Sequence, residues 1–415
     1  MNRRTYLTMS AATATLAVAG CAGDAGSDDD SNETDGDDSY GDFDEDEPSE
    51  APPDLAGTWD DFEDLDDWAP MDGSLDADTD QYFEGSQSAL ISVPESANSG
   101  RIIRTLSSPL DCSEVVPGLA MASDGPGAPS IQLWDEDGAK AEYRQETDAT
   151  HPFVRRNFGL SKYEGDVDLS RIGEIHVVHW TGDEFEGQLW VDDLYFSPRS
   201  EEGKIQIQFH GGYEEDYTVA YPILAQHDLE ATTFVATNRV RETQNAEGDR
   251  LTVEQLDELA DAGWTVGSYG RRGLQSTDVD PDEREADVYE AVDWLNDRGY
   301  DGAGFFAFPG GRIEDRGYEA VTEAHDLAFA GRFPSQGHAA NPHLCPRMTN
   351  PDPEEALNLL EWTATVGGIT TIAFNRVDSE AQTALEALAS ELSAYQEEDV
   401  LEVITPQEMV DEYVF

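Results

Sequence analysis

Short apolar runs separated by Gly, Pro, Asp and Asn clusters divide the chain into two regions of different period. Between residues 55 and 200 the β-rich runs are SALISV (88–93), RIIRTL (101–106), GLAMA (118–122), SIQLW (130–134), EIHVVHW (174–180) and QLWVDDLYF (188–196). No sustained helical period accompanies them, so this region predicts an all-β sandwich or jelly roll. From 203 to 415 strand runs alternate with helical segments. The strands are KIQIQF (204–209), ATTFVAT (231–237), WTVGS (264–268), GFFAFP (304–309), LAFAGRF (327–333), TTIAF (370–374) and VLEVIT (400–405). Helices are predicted near 216–227, 252–262, 281–299, 353–364, 379–396 and 406–413, with Thr252, Asp280 and Thr405 as N-caps. Seven strands with intervening helices predict an α/β parallel sheet, most simply closed into a distorted (β/α)7 barrel, with an open doubly wound sheet as the alternative. Either architecture puts function at the carboxyl ends of the strands.

The chain start adds a different signal. Residues 1–21, MNRRTYLTMSAATATLAVAGC, are too short and too weakly apolar for a spanning helix and read as a processed targeting segment. Arg3-Arg4 followed by Tyr6-Leu7 resembles the twin-arginine export motif, and Val18-Ala19-Gly20-Cys21 resembles a lipobox whose cysteine carries lipid. These resemblances imply export and a lipid anchor at Cys21 in the outer face of the cell membrane. Residues 22–54, rich in Asp, Ser, Gly and Pro, lack the means to form a core and read as an acidic disordered linker. Two cysteines remain, Cys112 and Cys345, either as a disulfide or as two buried thiols.

Charge then changes the picture. The chain has 24 Lys+Arg against 89 Asp+Glu, a net of −65, which excludes nucleic acid as a partner. Only 15 of those acids lie in the linker, so 74 acids still face 22 bases in residues 55–415. High charge with 38% hydrophobic residues would ordinarily signal disorder, yet the chain holds 39 aromatic residues. Concentrated salt shortens the Debye length to about 3 Å and screens such a surface. The composition resembles proteins of salt-accumulating archaea.

In the first folded region FEDLDDW (62–68), GSQSALISV (85–93) and WVDDLYF (190–196) resemble the jelly-roll modules that accompany carbohydrate-active proteins. The resemblance implies a possible carbohydrate-binding module at 55–200, with Trp134, Trp180 or Trp190 either stacking on sugar faces or filling the core. His176 and His179, three apart in a strand, face opposite sides and cannot share a metal. Asp192-Asp193 is either a structural calcium site or, more simply, a solvated strand end.

In the second region KIQIQFHGGYEEDYTVAYPILAQHDLEATTFVAT (204–237), LDELADAGWTVGSYGRRGL (256–274), FFAFPGGRIED (305–315) and TTIAFNRVDSEA…VLEVITPQEMVDEY (370–413) are similar to the polysaccharide deacetylases of the NodB-homology family. The resemblance implies a barrel of polysaccharide deacetylase type over 203–415. It also implies hydrolysis of an acetamide or ester on a sugar by water on a divalent metal held by one Asp and two His, with an Asp base and a His acid. This sequence departs from that pattern at each functional position. His210 stands where the base is expected and Gly211 where the metal Asp is expected. Tyr269 and Gly273 replace the paired imidazoles, Ala307 the arginine, Gly310 the aromatic, and Asn375 the acid; Pro309 and Gly311 are retained.

These departures predict a catalytically inactive glycan-binding protein with no metal cofactor. Its mouth would be lined by His210, Tyr213, Tyr269, Arg271, Arg272, Phe308 and Asn375, binding a polysaccharide or surface glycan through hydrogen bonds, paired guanidinium contacts and stacking. Arg271 and Arg272 could equally pair with surface acids. Two alternatives stay open: an active deacetylase, a hydrolase holding a divalent metal such as zinc on His210, Glu214, Glu215, Asp216 and Asn375 or using His338 and His343, and a structural surface protein.

Overall fold

The computed structural model describes residues 53–182 and 185–415. Arg3, Arg4, Cys21 and linker residues 22–52 lie outside these described residues. No described helix is long and apolar enough to cross a membrane.

The first region contains β1 (Gly57–Asp60), β2 (Trp68–Asp72), β3 (Ser74–Asp78), β4 (Ser88–Val93), β5 (Ser99–Leu110), β6 (Val115–Ser123), β7 (Ala128–Asp135), β8 (Lys140–Arg144), β9 (Val154–Arg156), β10 (Gly159–Glu164), β11 (Ile172–Trp180) and β12 (Gly187–Pro198). They form two antiparallel sheets, one in the order β3-β4-β12-β6-β9 with β1 beside β12, the other β10-β8-β7-β11-β5-β2. The sheets share one core, in which Ile91, Leu119, Leu189 and Phe196 of the first meet Ile102, Ile131, Tyr143 and Val177 of the second. All six predicted strands are present. The strands that the apolar runs did not reveal are polar on one face: in β8, Ala141 and Tyr143 enter the core while Lys140, Glu142 and Arg144 join Lys162 and Glu164 in a charged ladder.

Asp192 and Asp193 correct the expectation of a solvated pair, since both are buried. Asp192 accepts hydrogen bonds from the amides of Phe83 (2.8 Å), Glu84 (3.1 Å) and Asp193 (2.8 Å). Asp193 accepts from Thr58 (2.7 Å) and Arg155 (2.5 Å).

The second region carries β13 (Gly203–Gly211), β14 (Thr232–Val235), β15 (Thr265–Ser268), β16 (Phe305–Ala307), β17 (Leu327–Phe329), β18 (Met348–Thr349), β19 (Gly368–Phe374) and β20 (Leu401–Val403). All run parallel, in the order β17-β16-β15-β14-β13-β19-β18, with β20 beside the start of β13. The sheet is curled, and its ladder is not the closed seven-stranded barrel expected: β18 is an additional strand, and it does not pair with β17. Among the described residues the backbones of the two ends meet at Cys345, whose amide donates to the Ala328 carbonyl and whose carbonyl accepts from the Ala330 amide, both at 2.9 Å.

The connecting helices are α1 (Tyr221–Leu224), α2 (Val253–Asp261), α3 (Arg284–Arg298), α4 (Asp315–Ala324), α5 (Pro353–Val366), α6 (Ser379–Glu397) and α7 (Pro406–Glu412). Thr252 and Thr405 close full capping boxes on α2 and α7, and Asp280 caps a single turn before α3. α4 was not anticipated; its buried side is only Gly317, Ala320 and Val321, too small a stripe to read. Cys112 lies in the sandwich core and Cys345 in the second region, each a buried free thiol.

The sandwich and the curled sheet are joined by buried polar contacts. Asn157 donates from Nδ2 to the carbonyls of Asn341 (2.7 Å) and Leu344 (3.2 Å), and its Oδ1 accepts from the Asn341 amide (3.1 Å). Asn341 returns a bond to the Arg155 carbonyl (2.8 Å), and the Leu160 amide donates to Gln336 (2.6 Å). Gly159 makes this approach possible: a Cβ there would sit 2.3 Å from the Phe333 carbonyl oxygen. Removing Asn157 would strand the Leu344 carbonyl and the Asn341 amide at a buried junction and take from the Asn341 carbonyl its nearer donor. Asn157→Ala is therefore expected to lower stability by roughly 2–3 kcal/mol in urea titrations, and an unchanged midpoint would show that the junction is dispensable.

Candidate functional site

Every residue of β13 is buried, and its alternate side chains form a polar file inside the curled sheet. Gln206 reaches the Thr405 carbonyl (3.4 Å), Gln208 donates to Gln206 (3.2 Å), and the oxygen of Gln208 faces His210 Nε2 at 3.1 Å. Since that oxygen can only accept, Nε2 carries the proton and Nδ1 is bare; Nδ1 has no partner. The ring lies against Tyr269 at 5.6 Å and edge-on to Phe234 at 5.6 Å, with 1% of His210 exposed. Burial, and then the nearby Arg347 guanidinium, hold the imidazole well below its ordinary range, so it stays neutral.

Arg347 was not foreseen. It is buried, donating to the carbonyls of Phe329 and Phe308, the latter at 2.6 Å. Among the described residues no carboxylate lies within salt-bridge distance of it. Burial lowers it to about 10, so the cation persists at neutral pH. Nothing in CPRM (345–348) flags this role, because the position is set by the strand crossing after Pro346 and not by a local pattern.

At the mouth Tyr213 is clamped between Arg250 (3.4 Å) and Arg376 (4.3 Å), and Arg250 also donates to the Gly211 carbonyl (3.0 Å). Gly211 has φ +103°, and a Cβ there would meet the Tyr213 ring at 2.9 Å and Arg250 at 3.0 Å.

The remaining sequence candidates are placed differently. Phe308 is 2% exposed and packs edge-on against Phe306, leaving no face for a sugar. Arg271 pairs with Glu290 (2.5 Å), and Arg272 with Asp287 (2.7 Å) and Glu283 (2.6 Å); the surplus acids engage both. Asn375 sits apart in a shallow rim depression with Asn350 and Asp352. The structure thus brings His210 and Tyr269 together with Arg347, keeps Tyr213 at the edge, and turns Arg271, Arg272 and Phe308 away.

Residues 198–329 match the family model for polysaccharide deacetylase. The chain carries a polysaccharide deacetylase-like domain. A putative polysaccharide deacetylase, YxkH, of Bacillus subtilis is 22% identical over 117 residues, 28% of this chain and 40% of that protein, so the chain spans about two fifths of this curated relative. Among solved structures, a family 4 carbohydrate esterase from Streptomyces lividans is 14% identical, covering 49% of this chain and 94% of its own, with a TM-score of 0.34. A deacetylase, PplD, from Streptococcus pyogenes is 22% identical (34% of this chain, 62% of its own, TM-score 0.31). A family 11 carbohydrate-binding module from Clostridium thermocellum is 15% identical (34% and 94%, TM-score 0.27).

At the three positions where the resemblance implies metal ligands, the residues present do not supply an Asp and two His. The three ligand positions hold Gly211, Tyr269 and Gly273, and a Cβ on Gly273, at φ +62°, would meet Ala236 at 2.8 Å. The alternative donors are engaged elsewhere: Glu214 with Arg241 (2.8 Å), Glu215 with Arg376 (2.7 Å), Asp216 with Thr233 (2.9 Å), and His343 with the His325 carbonyl (2.9 Å). Among the described residues no three His, Cys, Asp or Glu side chains converge as a metal site.

Asp216 is nonetheless unusual. It is buried behind the mouth, and one carboxyl oxygen lacks a partner. Burial, with the neighbouring Glu215 charge adding to it, raises the carboxyl to about 8. A carboxyl raised in the folded state binds its proton more tightly there than in the unfolded chain. It therefore supports stability at low pH, and that support is lost as pH climbs from about 4 to about 8. Asp216→Asn, which mimics the protonated form, is expected to match the wild type near pH 4 and to exceed its stability increasingly up to pH 8. Parallel stability profiles would contradict a protonated Asp216.

Proposed function

We propose that this protein is a polysaccharide-binding surface protein whose deacetylase-like domain has exchanged metal-assisted hydrolysis for hydrogen-bonded recognition. The carrying observation is the content of the strand ends: a buried neutral His210, a buried Arg347 cation, and glycines at the positions of two expected ligands. A fixed guanidinium beside the mouth disfavours a second cation by Coulomb repulsion in a low-dielectric site. His210 also lacks the charge a proton-abstracting carboxylate would supply.

The family match and the carbohydrate-active relatives support a polysaccharide as the ligand class. In the same reading the sandwich is a jelly-roll sugar-binding module. The chain start directs twin-arginine export and lipid attachment at Cys21, and the acidic surface suits a salt-rich exterior.

The direct test is acetate release. Full-length protein in molar KCl, supplied with zinc, manganese or cobalt and offered acetylated chitin and xylan oligosaccharides, is expected to release no acetate above a protein-free control. Metal-dependent release abolished by a chelator would overturn the reading and restore the hydrolase.

A further inference from the structure

A groove of about 580 Å³ separates the sandwich from the deacetylase-like domain, within the size range of small-ligand sites. One wall is sandwich backbone and side chain: Gln145, Thr147, His151, Arg156 and Trp180. The other wall is the pair of loops leaving β16 and β17, Gly310–Ile313 and Gly331–Arg332, at the carboxyl edge of the curled sheet. Thr150 Oγ1 joins the walls by donating to the Ile313 carbonyl at 3.0 Å. The edge of a parallel sheet where ligands ordinarily bind is here roofed by the sandwich.

The charge in this groove runs against that of the chain. Arg156 is 4% exposed, and its Nε and Nη2 are buried without a hydrogen-bond partner. Among the described residues no carboxylate lies within 4.0 Å of Arg156 or of the exposed Arg312, in a chain with 89 acids. Arg332 is held by Glu146 at 3.4 Å, and Asp148 is the other acid of the lining. Arg347 lies behind the floor, 3.7 Å from where a Gly311 Cβ would stand. His151 is pushed down to about 3 by burial and then by the charges of Arg156 and Arg312, and all three line the same groove. At the rim Trp180 is 51% exposed and Phe185 is also exposed, both rings flanking Gly182. Trp134 and Trp190 are otherwise engaged, Trp134 stacked on His176 and Trp190 bonded to Asp78.

We infer that this groove binds an anionic saccharide, with Arg156 and Arg312 pairing its carboxylate or sulfate and Trp180 stacking on a ring face. A buried guanidinium with two unused donors is costly alone and matches a planar, doubly accepting anion. Exposed aromatic rings offer a stacking face for sugar C–H groups. Because Arg156 is buried, its attraction survives salt that screens the acidic surface. This inference rests on the polysaccharide-binding reading and gives it a place and a ligand charge.

The test uses full-length protein in molar KCl, titrated by calorimetry and tryptophan fluorescence with three probes: an oligogalacturonate, its methyl ester, and a sulfated galactan oligosaccharide. Binding of either acidic probe, weaker by about tenfold or more for the neutral ester, supports the inference; which acidic probe binds identifies the anion. Arg312→Gln and Trp180→Ala, both at exposed positions, should each weaken binding by about tenfold with unchanged circular dichroism, and Arg156→Gln should abolish it. Equal binding of acid and ester, undiminished binding in Arg312→Gln and Trp180→Ala, or no binding of any probe would overturn it. Binding that survives those changes but is lost in His210→Ala would also overturn the groove, while leaving polysaccharide binding intact at the mouth. Acetate release would instead strike the non-hydrolytic reading alone.

Discussion

The reciprocal bonding of Asn157 and Asn341 is the constraint on which the geometry of this molecule turns. Both side chains are buried, and each satisfies backbone groups of the opposite region. A sandwich and a curled sheet could each form a core alone; what these amides fix is their spacing. Gly159 allows backbone to meet backbone, Gln336 closes the adjacent bond, and the Arg199 guanidinium reaches the Val366 carbonyl at 3.0 Å. With that spacing set, the loops after β16 and β17 face the sandwich instead of solvent, and the groove exists.

Inside the curled sheet lies a second polar system. The Gln206, Gln208 and His210 file, anchored toward α7 at one end and capped by Tyr269 at the other, spends its hydrogen bonds on itself. Arg347 fills the adjacent space with a charge balanced by carbonyl dipoles and not by an acid. Losing one member of this file would leave its neighbours unpaired at a cost of about 1–3 kcal/mol each.

Much of this was legible in the sequence, and the failures have physical causes. Period-two apolar runs gave the central strands of both sandwich sheets, and capping residues placed α2 and α7. Strands β8 and β3 escaped because β8 buries Lys140 and Glu142 beside Ala141 and Tyr143, while β3 has no buried residue at all. The way the curled sheet ends was not legible, because Cys345 bonds Ala328 and Ala330 as a single bridge while Met348 and Thr349 pair with β19. At the site, the residue types that depart from the resembled motifs are legible, but not what packs around them. Phe308 and Arg272 read as sugar contacts because exposure is a tertiary property; one is turned into a core and the other is engaged by Asp287 and Glu283. Arg156 and Arg347 were invisible for the same reason, since an arginine announces itself only when its surroundings lack acids.

The acidity that dominates the composition therefore has little part in recognition. It covers the outside, whereas the groups that define the two candidate cavities are cations and neutral rings. The central claim, that coordination has given way to hydrogen bonding, is tested most directly by metal stoichiometry. Full-length protein equilibrated with zinc in molar KCl, passed over a chelating resin and analysed for bound metal, should retain no tightly held zinc. One retained equivalent per chain, lost on His210→Ala, would contradict it.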